Sequence, residues 1–397
     1  MKKIYLNISL LLIGIMFFSC DDKKNISDEI CTRLGTIQIN KSEIGSGRTN
    51  YSTLFDKIEY IQIETDTNYL IGKVDKLLVT DDYLFVMDRR ISRSLFAFDN
   101  KGNKVTRINK TGSGPDEYVA MKDIVFNKER KELLIHDYMR KKLLYYDLNG
   151  EFLKAENIPY NSLRVQSIGD KFGLYTDYNR NPPLQKEGKE PDLILLDSDK
   201  KQILSTANYF IQPSAKALVV SSEPKFSQVS DTLYSIKPDH CNIVYHVTPH
   251  EIYPAYSIDF GKYGIDDRYW QKVSEKGLTF NEIERYSDEL GLCESFWFLE
   301  GTNYIYFTYK QKGDLYHILY SKNTKNIHHI KHYQNDMDLV SSFRPVAMHN
   351  DKLYCIVDAE DIYNMRNHLV GILPDDILNN IKEFSNPIIS VFTLKPF

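Results

Sequence analysis

The segment Thr111-Gly112-Ser113-Gly114-Pro115-Asp116-Glu117-Tyr118 is rich in glycine, and glycine-rich loops can cradle phosphate. That chemistry needs successive free N–H groups with a helix N-terminus behind them. Here Pro115 removes a donor, and Val119 to Phe126 reads as a strand, so the segment is expected to be a connecting turn. A second group is histidine: His328, His329 and His332 are close together with His317 nearby, and on a strand His328 and His332 share a face. His136 and His349 have no Glu or Cys companion at ligand spacing. No catalytic residue, metal ligand set or cofactor is therefore assigned. Of the cysteines, Cys31, Cys241, Cys293 and Cys355 are widely spaced and lack any C-x-x-C pair, which fits neither a zinc site nor a disulfide framework. Cys355 lies in the apolar run Leu353–Val357 and reads as a small buried hydrophobe; pairing among the four stays open.

The elements that must position these residues are short strands in series. Six β-rich runs follow turn signals: Tyr83–Asp88, Glu132–Asp137, Lys171–Asp177, Thr232–Lys237, Asn303–Tyr309 and Lys352–Asp358. Their last residues are 49, 40, 60, 72 and 49 positions apart, the spacing of propeller blades carrying insertions. After the first two runs comes a second strand closed by Asp and a turn glycine, Leu95 to Gly102 and Leu143 to Gly150. Leu193 to Asp197 repeats the strand and the Asp without the glycine. Two stretches break the rhythm. Asp266 to Leu292 has helical spacing and a capping box in Thr279-Phe280-Asn281-Glu282. Pro374 to Phe384 places Ile377, Leu378, Ile381 and Phe384 on one helix face. Asn181 to Pro191 reads as a surface loop, and nothing reads as a linker between domains.

At the N-terminus, Lys2 and Lys3 precede an apolar run from Ile4 to Phe18 that stops at Ser19-Cys20. This resembles a lipoprotein signal ending in a lipobox, and the run is short for a permanent span. The resemblance implies cleavage after residue 19 and acylation of Cys20, with several acyl chains giving a durable membrane anchor. Losing the two lysines moves the formal charge from −4 to −6, with both signs spread along the chain, so no nucleic-acid partner is implied. Removal of 19 residues from 397 leaves 378, more than the usual single core, which favours a fold that grows by repeats.

Taken together the runs resemble the six-bladed β-propeller lipoproteins of Bacteroidetes, related in pattern to NHL-type propellers. The Gly112 to Tyr118 segment looks like the G-x-G-P-x-E-[FY] turn such proteins carry between blades. The expected class is all-β, a six-bladed propeller with short helical insertions. Residues 1–19 are the signal peptide, 20–52 a tether and 53–397 the propeller. The resemblance implies that Phe55 to Thr65 supplies the outer strand of the last blade, closing the ring. In this arrangement the first strands line the axis, which places the histidine group on the third and fourth strands of blade five, away from it.

First strands begin with a basic residue in five of six units, Lys76, Lys122, Arg164, Lys225 and Arg344, while unit five offers Glu294 and Trp297. A ring of charge at one channel mouth would concentrate carboxylate or sulfate groups. Ordinary solvated Lys and Arg at strand starts is the plainer alternative. The expected function is a ligand-binding or scaffold module of the cell envelope, held at the outer membrane, presenting loops and aromatic surface to a glycan, peptide or envelope protein. The alternative is a metal-dependent propeller lyase or hydrolase. Asp21-Asp22 loosely resembles an acidic surface-export signal, broken by Lys23-Lys24, so periplasmic and surface placement both stand open.

Overall fold

The computed structural model describes residues 34–40, 48–210, 225–340 and 342–397. The signal peptide, Cys20 and Cys31 lie outside the described residues.

Alternating short strands and tight turns build six antiparallel sheets around one axis. The strands lining the axis are Lys76–Val79, Met121–Asn127, Arg164–Ile168, Phe226–Gln228, Glu294–Glu300 and Ala347–His349. Each of the six runs read from the sequence is the second strand of its blade. These strands are apolar on both faces because each sheet is covered on both sides. Leu84, Phe85, Val86 and Met87 are all buried, with Phe85 and Met87 facing blade two and Leu84 and Val86 facing blade six. The outer strand Phe152–Asn157 shows the alternation of a solvent-facing edge. Six apolar clusters, one per blade interface, run round the ring, so the core is a series of wedges.

Closure is made as expected: Phe55–Gln62 pairs antiparallel with Ile388–Leu394 and completes blade six. Folded chain begins earlier than the sequence suggested, however. Gly35–Gln38, in the segment expected to be tether, adds a fifth strand parallel to the outer strand of blade four, Ile252–Asp259. Arg48–Asn50 pairs with His332–Gln334. The physical reason lies in Ile37 and Ile39, alternate residues that are both buried there.

The two ends of the ring differ. One, the turn face, carries tight hairpins. The other, the loop face, carries the long connections. Helices α1 (Asp267–Lys276) and α2 (Phe280–Leu290) stand between blades four and five. The Thr279 backbone N–H donates to Glu282 at 2.7 Å, as the capping box requires. Within blade six, between its second and third strands, lie α3 (Ala359–Met365) and α4 (Asp375–Asn380). The sequence reading missed α3 and ran α4 too long. Ile377 and Ile381 are buried as expected, but Phe384 is 80% exposed beyond the helix end.

Candidate functional site

Inner strands that start at the loop face bring their first side chains together at the axis. There a cavity of about 130 Å³ is walled by seven cationic residues and two acidic ones, Asp75 and Asp123. Lys76, Lys122, Arg164 and Lys225 are among the seven. Arg344 is not: it is exposed, and its field falls instead on His317 and Tyr306.

The four cations do not play one role. Asp123 follows a bulge at Lys122 in the blade-two inner strand and is 1% exposed. It accepts from Lys76 Nζ of blade one at 2.6 Å and from the Val165 backbone N–H of blade three at 3.0 Å. Burial alone would raise its carboxyl, but Lys76 and Arg164 outweigh that and hold it below the ordinary range. Lys76 is thus a structural cation, tied also to the Ile124 carbonyl at 2.9 Å. Lys225 Nζ likewise meets Asp239 at 2.5 Å. Lys122 is different. Among the described residues it makes no hydrogen bond or ion pair, and burial together with the like charges of Arg164 and Arg89 pushes its ammonium down to about 8.

Arg89 and Asp75 were not foreseen. Arg89 directly follows the marker Asp88, so its position was available in the sequence, but nothing there showed that the turn bends inward. Its Nε is buried without a hydrogen bond, 3.5 Å from Asp75. Trp297 is placed by a bulge: Phe296 pairs with Thr308 and Phe298 with Phe307, leaving one extra residue whose φ is +49°. Its indole Nε1–H donates to the Pro345 carbonyl at 2.5 Å, and the side chain lines the cavity.

Beside the cavity lies a buried acidic group. The Tyr175 hydroxyl is 3.2 Å from Asp177 Oδ1 and 3.3 Å from Asp239 Oδ2. Desolvation, then the charge of Asp239, raises Asp177. Asp192, bound to Thr176 Oγ1 at 2.7 Å, is raised to about 7 by its complete burial. Asp177 and Tyr178 both have left-handed backbones, with φ +53° and +59°.

The marker aspartates have a structural task. Asp88 accepts from the backbone N–H groups of Gly72, Ile91 and Ser92, and Asp137 from Val119 and from Arg140 Nε at 2.8 Å. Each ties the incoming connection to the turn after the second strand. The Gly112 to Tyr118 segment is such a connection: Glu117 accepts from the Gly114 N–H at 2.7 Å, filling the position an external anion would take. A Cβ on Gly112 would collide with that carboxylate. Glu117→Gln is expected to lower unfolding free energy by about 1–2 kcal/mol, read from the denaturant midpoint, because it weakens a charge-assisted bond.

The histidines are spread among aromatic partners. His317 pairs with the Tyr306 hydroxyl at 2.9 Å and His329 with Tyr309 at 2.7 Å, while His328 packs on Phe397. His328 and His332 fall on separate strands, Ile327–Ile330 and His332–Gln334. His349 faces Asp81 at 2.9 Å at the turn-face mouth. Among the described residues no three His, Cys, Asp or Glu gather as metal ligands. Cys355 is a buried free thiol.

Residues 34–393 match the family model described as a domain of unknown function, DUF4934. No curated protein matches the chain. Among solved structures, a protein of Bacteroides fragilis inferred to be exported is 18% identical; the match covers 91% of this chain and 100% of that one, with a TM-score of 0.73. A DUF4221-family protein of Bacteroides vulgatus is 10% identical over 86% of this chain and 97% of its own, with a TM-score of 0.49. At 18% identity, the first likeness speaks to the fold.

Proposed function

This chain belongs to the DUF4934 family, and we propose that it is an extracytoplasmic binding module that holds an anionic group in the axial cavity. The observation carrying this reading is the unbalanced charge of an enclosed site. Cations outnumber carboxylates there, Lys122 has no partner among the described residues, and Arg89 Nε is buried with only a long ion pair to Asp75 and no hydrogen bond. Buried polar groups are ordinarily satisfied, so such an excess is costly unless a ligand completes it. The same charge opposes a metal cation, which argues against the lyase or hydrolase alternative.

The likeness to a protein inferred to be exported supports a place outside the cytoplasm, as does the N-terminal signal with Cys20 as its acylation site. Gly35–Gln38 runs parallel to Ile252–Asp259, from the turn-face side toward the loop face.

Calorimetric titration of the purified full-length protein with sulfate or acetate at pH 7 tests the reading. Saturable one-to-one binding on the order of millimolar is expected, weakening as pH rises through about 8 and Lys122 loses its proton. Absence of saturation up to about 50 mM at low salt would overturn it.

A further inference from the structure

The cavity is not only cationic. On the blade-five side, where the other inner strands offer a basic residue, it presents the indole of Trp297. The chain reaches that arrangement through an unpaired bulge residue in a left-handed backbone, and the bond from Nε1 to Pro345 fixes the plane of the ring. Strain of this kind persists where the surrounding structure over-determines it, and bulges commonly re-aim a side chain beside a binding site. The ring also packs against the apolar cluster between blades five and six, which helps to hold it where it lines the cavity.

A fixed indole face carries negative quadrupole charge and attracts the weakly positive C–H bonds of a saturated ring laid flat on it. The wall also holds more donors than one acid group can use. Lys73 and Arg90 line the cavity too, Arg90 with its Nε 3.1 Å from Asp75. Hydrocarbon could not match those donors, whereas each hydroxyl of a sugar offers lone pairs. We propose that the occupant is a carboxylate-bearing sugar residue, its carboxylate held by Lys122 and Arg89 and its C–H face laid on Trp297. This rests on the anion-binding reading above and adds the class of molecule.

The chain has two tryptophans, Trp270 and Trp297. Trp270 packs on His240 with ring centres 4.2 Å apart, and its Nε1 is buried without a hydrogen bond, so W270F loses none and leaves Trp297 as the single indole reporter. In W270F, D-glucuronate, D-glucose, acetate and benzoate are titrated by fluorescence and calorimetry. Glucuronate is expected to bind at least about tenfold more tightly than acetate and to change Trp297 emission, with glucose weaker than glucuronate. In W297A with Trp270 intact, calorimetry should show that margin lost while acetate binding persists, which also reports that the site is folded. Acetate binding with no gain for glucuronate would overturn the sugar assignment and leave anion binding standing. Benzoate equalling glucuronate would overturn it in favour of an aromatic acid. Failure of every anion would remove the underlying reading.

Discussion

Asp123→Ala is expected to cost about 3–5 kcal/mol of unfolding free energy, the effect of breaking a buried ion pair from one side. Asp123 is where three blades meet: it is a residue of blade two and accepts from Lys76 of blade one and from the Val165 amide of blade three. Its removal leaves the Lys76 ammonium with the Ile124 carbonyl as its remaining partner among the described residues and the Val165 N–H without an acceptor. A denaturant titration should show a lower midpoint with little change in slope, because the surface exposed on unfolding is the same. The double variant Asp123→Leu with Lys76→Met removes both charges and should recover much of the loss, since a buried pair exchanged for apolar residues is often near neutral. A double variant no better than Asp123→Ala would show that packing, not charge, governs the site.

The pH dependence of that pair has a defined sign. The folded state holds the Asp123 carboxyl below its ordinary value, so its contribution is present above the unfolded-state value of about 4 and is lost as pH falls through the depressed folded one. Wild-type and variant should therefore converge in stability under strong acid.

Asp123 also marks the boundary of what the sequence reveals. Strand and turn chemistry is local, and the six second strands, the Asp-Gly hairpins and the closing strand at Phe55–Gln62 were all visible as apolar runs between turn signals. The convergence of Lys76, Lys122, Arg164 and Lys225 followed from topology, since equivalent positions of repeated units meet at the axis. Arg344 departs because the blade-six inner strand begins at Ala347, three residues later, so the arginine belongs to the incoming connection. Asp123 follows a bulge at Lys122 and Trp297 is itself a bulge residue; such bulges shift register by one residue and leave no compositional trace. Which cations are neutralised was equally hidden. The partners Asp123 and Asp239 are 47 and 14 residues from Lys76 and Lys225, with nothing in the pattern to join them.

Lys122→Met is expected to abolish anion binding while raising stability at pH 7 by about 1–3 kcal/mol. The upper figure is the free energy equivalent to moving an ammonium from its ordinary 10.5 to about 8. Methionine keeps an apolar stem of similar length and removes the charge that burial, Arg164 and Arg89 oppose. Because the folded-state value lies below the unfolded one, the penalty in the wild type is complete below about pH 8 and is relieved as pH rises from there toward 10.5. The gain from the substitution should accordingly shrink across that window, which thermal denaturation at pH 7 and at pH 10 can measure. Saturating sulfate supplies the missing partner and should stabilise the wild type without affecting the variant. A structural lysine predicts the opposite pattern, with Lys122→Met less stable at pH 7 and sulfate acting equally on both proteins. A stability gained together with a binding activity lost is the signature of a site held poised for a ligand, because the like charges are tolerated for what completes them.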